Sequence, residues 1–90
     1  MLFWYVQDNG GLVKQGGGSN WPLRGFKGSL WEGGIRGVAF VHGNVLGRSQ
    51  IVSKELMHVS DWYPTLVGLA GGSLDGTLPL DGVDQWKTLR

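Results

Sequence analysis

Glycine is the residue that most constrains the fold of this chain. Seventeen of the 90 residues are glycine, and ten of these lie between Gly10 and Gly37, where neither a helical nor a strand period is sustained. Because glycine weakens the interior of helices and strands, the stretch predicts a long ordered loop. Loops of this length are uncommon in a compact domain unless they carry function or belong to a larger body.

Three short segments are predicted to form strands: Leu2–Val6, Ile35–Val41 and Leu56–Val59. The first is continuous, aromatic and β-branched and ends in a polar turn, which predicts a strand buried on both faces. The second has its apolar part after Gly37 and predicts another largely buried strand, followed by a turn over 42–44. The third predicts only a short strand.

One helix is predicted over 62–70. Apolar residues recur there at helical spacing, and Pro64 falls in the first turn, where its missing N–H is tolerated. Ser60 or Asp61 can cap the start of this helix, and two successive glycines can end it. A further helical turn is predicted to begin at Asp84.

This arrangement of strands, loops and a helix predicts an α/β fold. About three short strands with one or two helices cannot cover both faces of a buried sheet. The chain is therefore expected to be a partial segment of a larger α/β domain.

Composition excludes several classes of function. Lys plus Arg number 8 and Asp plus Glu number 7, so the formal charge of +1 gives no field suited to nucleic acid or an anionic membrane. No apolar run approaches the roughly 18 residues that span a bilayer, and the amino-terminal run lacks the pattern of a signal peptide. The absence of cysteine excludes disulfides, thiolate metal sites and a cysteine nucleophile within this sequence.

Asp8 and Asn9 are candidate metal ligands at the end of the first strand. Carboxylate and amide oxygens suit Ca²⁺ or Mg²⁺, although Ca²⁺ takes about six to eight oxygens and this pair would supply a minority of them. The alternative is a plain turn, since Asp-Asn and Asn-Gly both favour turns. The tetrapeptide alone leaves both interpretations open.

Lys27 is a candidate oxyanion ligand because it stands in a glycine-rich, aromatic-flanked loop, where an ammonium can act as a compact point charge. The alternative is a solvated surface lysine. Arg24 and Arg36 are weaker candidates for the same role, and Glu32 is expected to brace the loop or pair with an arginine. His58 is expected to lie at a strand end, bonded to backbone.

An ordered series of blocks resembles the sulfatase family, particularly the branch around arylsulfatase B, over essentially all 90 residues. The blocks are Asp8–Gly11, Gly17–Gly25, Lys27, Leu30–Gly37, Leu56–Leu66 and Leu80–Trp86. The resemblance implies an alkaline-phosphatase-like α/β fold, with residues 1–90 forming a later part of the catalytic domain. The amino-terminal part that bears the nucleophile would be absent from these residues.

The resemblance also implies a function. Sulfatases hydrolyse sulfate esters, here of the aryl or sulfated glycosaminoglycan type, with a Ca²⁺ ion and a formylglycine made from cysteine. By position, Asp8 and Asn9 would be Ca²⁺ ligands and Lys27 a sulfate-contacting catalytic cation. Because no cysteine is present, the 90 residues alone are expected to be inactive and to depend on the remainder of a sulfatase chain. The resemblance further implies a lysosomal or secretory location.

A second interpretation is a truncated, sulfatase-derived chain without catalysis. It would act as a module that binds an anion or a saccharide, or would have no independent function. The aromatic residues and the basic loop are compatible with sugar binding as well.

Overall fold

The computed structural model describes residues 1–13 and 16–90. Its regular elements are β1 (Leu2–Val6), α1 (Glu32–Ile35), β2 (Ala39–Gly43), a 3-10 turn (Val59–Asp61), α2 (Trp62–Leu69) and α3 (Trp86–Leu89). The chain divides into two compact units, Trp4–Val41 and Met1–Phe3 with His42–Arg90. The combination of strands and helices agrees with a partial α/β segment.

The strands β1 and β2 form a two-stranded sheet. The Gln7 N–H donates to the Val38 carbonyl at 2.8 Å, and the ring of Tyr5 stacks on that of Phe40 with centroids 5.5 Å apart. The paired numbers fall on one strand as they rise on the other, so the pairing is antiparallel. Tyr5 and Phe40 are directly opposite one another, where an aromatic pair adds most to a ladder.

The expectation of strands buried on both faces is wrong in this structure. The side chains of Trp4 and Tyr5 in β1 are 46% and 47% exposed, and most of β2 is exposed as well. In a two-stranded sheet each strand has a single neighbour, which gives less cover than an interior position in a larger sheet. The second strand also begins at Ala39 and extends to Gly43, so the turn follows about two residues later than predicted.

The predicted third strand, Leu56–Val59, is absent from the described residues: 56–58 have no regular structure, and the 3-10 turn begins at Val59. The side chain of His58 accepts a hydrogen bond from the Ser60 N–H, and the Asp61 carboxylate accepts one from the His58 N–H at 2.8 Å. This reciprocal capping satisfies backbone groups locally, in competition with extended pairing. The segment has only three apolar residues, and its remaining residue, His58, makes the competing bonds itself.

The helix α2 agrees with its prediction to within one residue. Ala70 is its C-cap, and the N–H groups of Gly71 and Gly72 donate to Gly68 and Val67. These two bonds are the pair of a Schellman motif, and Gly71 has the positive φ of 74° that the motif requires. The glycine pair therefore ends the helix, as the sequence predicts.

The amino-terminal cap of α2 differs from the prediction because the Asp61 side chain makes no cap bond to the helix. It accepts instead from the His58 and Val83 N–H groups, and the buried Thr65 hydroxyl accepts from the Gln85 N–H at 2.8 Å. These bonds fasten the carboxy-terminal segment to the helix start. The last helix begins at Trp86, two residues after the predicted start, with Asp84 accepting from the Trp86 N–H.

The unit Trp4–Val41 is built around glycine rather than around large apolar side chains. Gly10, Gly33 and Gly34 are its buried residues within the described chain. A Cβ on Gly33 would lie 2.5 Å from the Gly25 carbonyl oxygen, and one on Gly34 would lie 2.4 Å from that of Ser29. The backbones approach so closely that only glycine fits. Over residues 10–13 and 16–37 the predicted loop is thus held by close backbone contacts, and it contains the short helix α1.

No helix among residues 1–13 and 16–90 is long and apolar enough to cross a membrane.

Candidate functional site

The turn that carries Asp8 and Asn9 starts directly where β1 ends. Gln7 fixes this point twice, because its N–H donates to the Val38 carbonyl at 2.8 Å and its side-chain oxygen accepts from the Val38 N–H at 3.1 Å. The Asp8 side chain is 90% exposed, and the Asn9 amide donates to its carboxylate. The two polar side chains are therefore adjacent on a fixed backbone, with Asp8 exposed and Asn9 half-buried.

Lys27 comes to the same place from a different segment. Its ammonium lies 4.0 Å from the Asp8 carboxylate, and its side chain is 55% exposed. Its backbone N–H donates to the Gly11 carbonyl at 3.2 Å. The structure thus brings Asp8, Asn9 and Lys27 together. We name these three residues the acid–amide–lysine cluster.

The ion pair within the acid–amide–lysine cluster is not what holds it together. An exposed pair at the limit of contact contributes about 0 to 1 kcal/mol, because water screens the charges and both side chains lose freedom. The backbone does more. Gly10 donates to the Gly34 carbonyl at 3.0 Å, and a Cβ on Gly10 would lie 1.8 Å from the Gly33 oxygen. Close glycine packing therefore sets the position of the turn.

Ser29 shapes the tight turn on which Lys27 stands. Its hydroxyl accepts from the Phe26 N–H at 3.0 Å and donates to the Phe26 carbonyl at 2.7 Å, and its own N–H donates to the same carbonyl at 2.9 Å. Gly28 has a φ of 92°, a value that favours glycine. Lys27 therefore projects from a closed turn.

A side chain that the sequence did not single out lies between these two segments. The Asn20 amide accepts from the Gly11 N–H at 2.7 Å and donates to the carbonyls of Gly11 at 2.9 Å and Gly25 at 3.2 Å. All of its partners are backbone atoms, five and nine residues distant in sequence. The sequence signal was only an asparagine in a glycine-rich stretch, which predicts a local turn and no long-range contact.

The other charged residues of this loop are engaged with each other or with aromatic rings. The Arg36 guanidinium lies 3.2 Å from the Glu32 carboxylate on α1, which confirms Glu32 as an arginine partner. The Arg24 guanidinium stacks over the Trp31 ring at 3.8 Å, a cation–π contact. The partners of Arg24 and Arg36 therefore lie outside the acid–amide–lysine cluster.

The two histidines lie outside the acid–amide–lysine cluster. His42 is an exposed residue of β2. His58 is the cap of the 3-10 turn, with its Nδ1 accepting from the Ser60 N–H at 3.3 Å, so it bonds backbone as expected but at a helical end and not a strand end.

Asp61 is a titratable group whose surroundings clearly shift its pKa. Its pKa lies below the usual 3.8, chiefly because the N–H of Val83 and then that of His58 donate to the carboxylate, while burial opposes the shift. Its side chain is 6% exposed and its hydrogen bonds are satisfied within the fold. Asp61 is therefore a structural carboxylate.

An open apolar groove in the unit Met1–Phe3 with His42–Arg90 is a poor candidate for chemistry. Its lining includes Pro64, Leu74, Leu78 and Val83, with Asp84 as its charged residue. A single carboxylate among aliphatic groups offers no convergent polar set.

The donor set of Asp8 and Asn9 fits a hard cation in part. The carboxylate provides oxygens directly, whereas the Asn9 amide here points its nitrogen at Asp8 and must turn over to offer its oxygen. No group of three or more His, Cys, Asp and Glu residues that could hold a metal occurs in the part of the chain that the structure describes. The pair can therefore contribute to a Ca²⁺ site but cannot complete one.

Comparison with known proteins finds similarity to curated sulfatases. The chain is 56% identical over 85 residues to arylsulfatase J of Mus musculus, a match that covers 94% of this chain and 14% of that protein. It is 37% identical over 87 residues to steryl-sulfatase of Mus musculus, covering 96% and 14%. It is 38% identical over 87 residues to arylsulfatase A of Bos taurus, covering 92% and 16%.

The chain thus spans about one-seventh of the length of these relatives. No family model matches the chain. No solved structure matches it either.

Proposed function

Because this chain belongs to the sulfatase family, we propose that it supplies part of the catalytic site of an enzyme that hydrolyses sulfate esters. The observation that supports this proposal most directly is the acid–amide–lysine cluster, in which the Lys27 ammonium lies 4.0 Å from the Asp8 carboxylate. In this proposal Asp8 and Asn9 are Ca²⁺ ligands and Lys27 is the catalytic cation. The substrate is an aryl sulfate or a sulfated glycosaminoglycan.

The charges of the cluster suit sulfuryl transfer. A bound Ca²⁺ would supply positive charge beside the sulfate oxygens. Asp8 contributes a full negative charge and hard oxygens toward that ion, and Asn9 contributes a neutral amide oxygen. Lys27 donates hydrogen bonds to a non-bridging sulfate oxygen, where negative charge shifts as the ester bond breaks.

Lys27 is available for this role at small cost. Its pair with Asp8 is exposed at 55% and 90% of the two side chains, so exchanging the carboxylate for a sulfate oxygen sacrifices about 0 to 1 kcal/mol. Its backbone, in contrast, is held by the bond to Gly11 and by the closed turn with Ser29. The exposed ammonium can therefore contact a ligand while the backbone of Lys27 keeps its position.

The nucleophile of this proposed site must come from other residues. No cysteine occurs in the 90 residues, so the formylglycine that the family uses would be supplied by the remainder of a sulfatase chain. The alkaline-phosphatase-like fold and a lysosomal or secretory location belong to the same proposal and rest on the family resemblance.

A chimera tests this proposal. The 85 matched residues of mouse arylsulfatase J are replaced by those of this chain, and hydrolysis of 4-nitrophenyl sulfate is followed against the parent enzyme. We expect Lys27→Ala to lower kcat about a hundredfold or more, as losing one preorganised donor to a developing charge does. Asp8→Asn should raise the Ca²⁺ concentration needed for activity, because the metal site loses a full charge.

Lys54→Ala is the matched control, since Lys54 is also an exposed loop lysine and lies outside the cluster. It should leave kcat within about twofold of the unsubstituted chimera. If Lys27→Ala were equally silent in a folded, active chimera, the catalytic role would be refuted. A folded chimera with no turnover at all would favour the non-catalytic, anion-binding alternative.

A further inference from the structure

The acid–amide–lysine cluster is assembled from two segments that meet at the backbone of Gly11. Its carbonyl accepts from the Lys27 N–H at 3.2 Å and from the Asn20 amide at 2.9 Å, while its N–H donates to the same amide at 2.7 Å. Gly11 therefore joins the turn that carries Asp8 and Asn9 to the loop that carries Lys27.

The Asn20 side chain forms hydrogen bonds with the backbone of both segments that carry the cluster. Gly11 lies two residues after Asn9, and Gly25, whose carbonyl accepts from Asn20 at 3.2 Å, lies two residues before Lys27. One side chain thus fastens both segments close to their functional residues. We propose that Asn20 is a positioning residue that sets the distance between Lys27 and the Asp8–Asn9 turn, an inference that rests on the proposed function for its catalytic consequence.

The chemistry of the site calls for asparagine in particular. A primary amide offers one acceptor oxygen and two donor hydrogens, and here all three find backbone partners. An aspartate can accept from the Gly11 N–H but would turn a charged oxygen toward two carbonyl oxygens. A glutamine carries one more methylene, which would move its amide away from the position that makes these three bonds.

The gap around Asn20 is narrow. A Cβ added to Gly11 would lie 3.3 Å from the Asn20 side-chain oxygen and 3.1 Å from the Gly17 carbonyl oxygen. The amide exchanges two hydrogen bonds with the Gly11 backbone, as a residue of a neighbouring strand does. Asn20 itself is only part-exposed, which limits competition from water.

The first test measures positioning without any reaction. Amide hydrogen exchange is followed by NMR in the 90-residue chain, comparing Asn20→Ala and Asn20→Asp with the unsubstituted protein. We expect Gly11 to exchange about tenfold or more faster in Asn20→Ala, because the bond that protects its N–H is removed. In Asn20→Asp the Gly11 amide should stay protected while the Lys27 amide exchanges faster, since the carboxylate repels the carbonyl that Lys27 bonds.

Ser19→Ala is the matched control, because Ser19 directly precedes Asn20 and its hydroxyl accepts from the Trp21 N–H at 3.3 Å. It should leave exchange at Gly11 and Lys27 unchanged. Unchanged exchange at both amides in both Asn20 variants would overturn the proposal. Should Asn20→Ala fail to fold, the Asn20→Asp result decides alone.

The second test is a double-substitution cycle in the chimera described above. A misplacement of about 1 Å can cost roughly a hundredfold in rate, so Asn20→Asp should lower kcat toward the value of Lys27→Ala. If Asn20 acts through Lys27, the Asn20→Asp/Lys27→Ala chimera should be no slower than Lys27→Ala alone. Additive losses would show a general structural role and overturn the positioning role.

The two proposals can fail separately. Undiminished turnover in Lys27→Ala would refute the catalytic role of Lys27, whatever the exchange data show. Altered exchange in the Asn20 variants combined with additive kinetics would instead retain the function of Lys27 and remove only the role of Asn20.

Discussion

Replacing Asp61 is the perturbation whose effect the structure defines best. The carboxylate is 6% exposed and accepts hydrogen bonds from the N–H groups of His58 at 2.8 Å and Val83 at 2.9 Å. In Asp61→Ala both donors lose their partner. In Asp61→Asn one oxygen remains to accept, while the new NH₂ group faces a second N–H.

The magnitude follows from the two bonds. A hydrogen bond to a charged group contributes about 1.5 to 3 kcal/mol, so Asp61→Ala should destabilise the segment between the 3-10 turn and Val83 by about 3 kcal/mol or more. Asp61→Asn should cost roughly half of that, because one bond is kept without the charge. Since about 1.4 kcal/mol is a tenfold change in an equilibrium, local opening at Val83 should become roughly a hundredfold more frequent in Asp61→Ala.

The effect has a defined dependence on pH. The Val83 and His58 N–H groups hold the pKa of Asp61 below its usual 3.8 in the folded chain. A group with a depressed folded pKa stabilises the protein above the unfolded pKa, and this contribution is lost as pH falls through the folded value. The difference between wild type and Asp61→Asn should therefore be constant at neutral pH and shrink below about pH 4.

Amide hydrogen exchange at Val83 measures this directly, with the pH series read by urea unfolding. Asp75→Ala is the control, since Asp75 is an exposed carboxylate of the same unit whose removal should change nothing measurable. Protection at Val83 that survived in Asp61→Ala would refute the argument. So would a wild-type minus Asp61→Asn difference that stayed constant down to pH 2.

Two further substitutions test the packing, one in each unit. Gly10→Ala should destabilise the loop by about 1 to 3 kcal/mol in urea unfolding, because its Cβ would lie 1.8 Å from the Gly33 oxygen. An unchanged unfolding midpoint would contradict the close packing. Thr65→Val should lower the free energy of unfolding by about 1 to 3 kcal/mol, because the buried hydroxyl both donates and accepts a hydrogen bond. The control, Thr77→Val at an exposed threonine, should lower it by less than about 1 kcal/mol. Equal losses would contradict the role of burial.

The sequence predicted correctly those helices and strands whose positions depend on interactions between neighbouring residues. The helix α2 was placed correctly because its spacing, Pro64 and the terminating glycine pair act within one or two turns. The strand β1 was placed correctly because five apolar residues end at a polar turn. In each case the residues that decide the structure are neighbours in the chain.

The failures came where local side-chain caps or contacts between distant residues outweigh the preference of an apolar segment. The run Leu56–Val59 reads as a strand, but the reciprocal bonds of His58 and Asp61 convert its end into a 3-10 turn. Burial was overestimated for β1 because an apolar run cannot reveal how many strands will neighbour it. The hydrogen bond that the Val83 N–H donates to Asp61 spans 22 residues and leaves no periodic pattern in the sequence.

The candidate site likewise contains residues that the sequence could predict and one that it could not. Asp8, Asn9 and Lys27 could be nominated from residue type and family resemblance, and the structure brings them together; their roles stay predictions. Asn20 could not be nominated, since its partners are backbone atoms and backbone has no sequence signature. Residue type therefore indicates the candidate reactive side chains, but it does not indicate which side chain holds their backbone in position.

That distinction bears on how such a site tolerates change. The charges of the acid–amide–lysine cluster are exposed, so their mutual attraction contributes about 0 to 1 kcal/mol and cannot fix their geometry. The geometry is fixed by contacts made through Gly10, Gly11 and Asn20, where a single added methyl group or a lost amide hydrogen moves the backbone. Substitutions at the charged residues should therefore change chemistry and leave the fold intact, whereas substitutions at the glycines should displace every member of the cluster together.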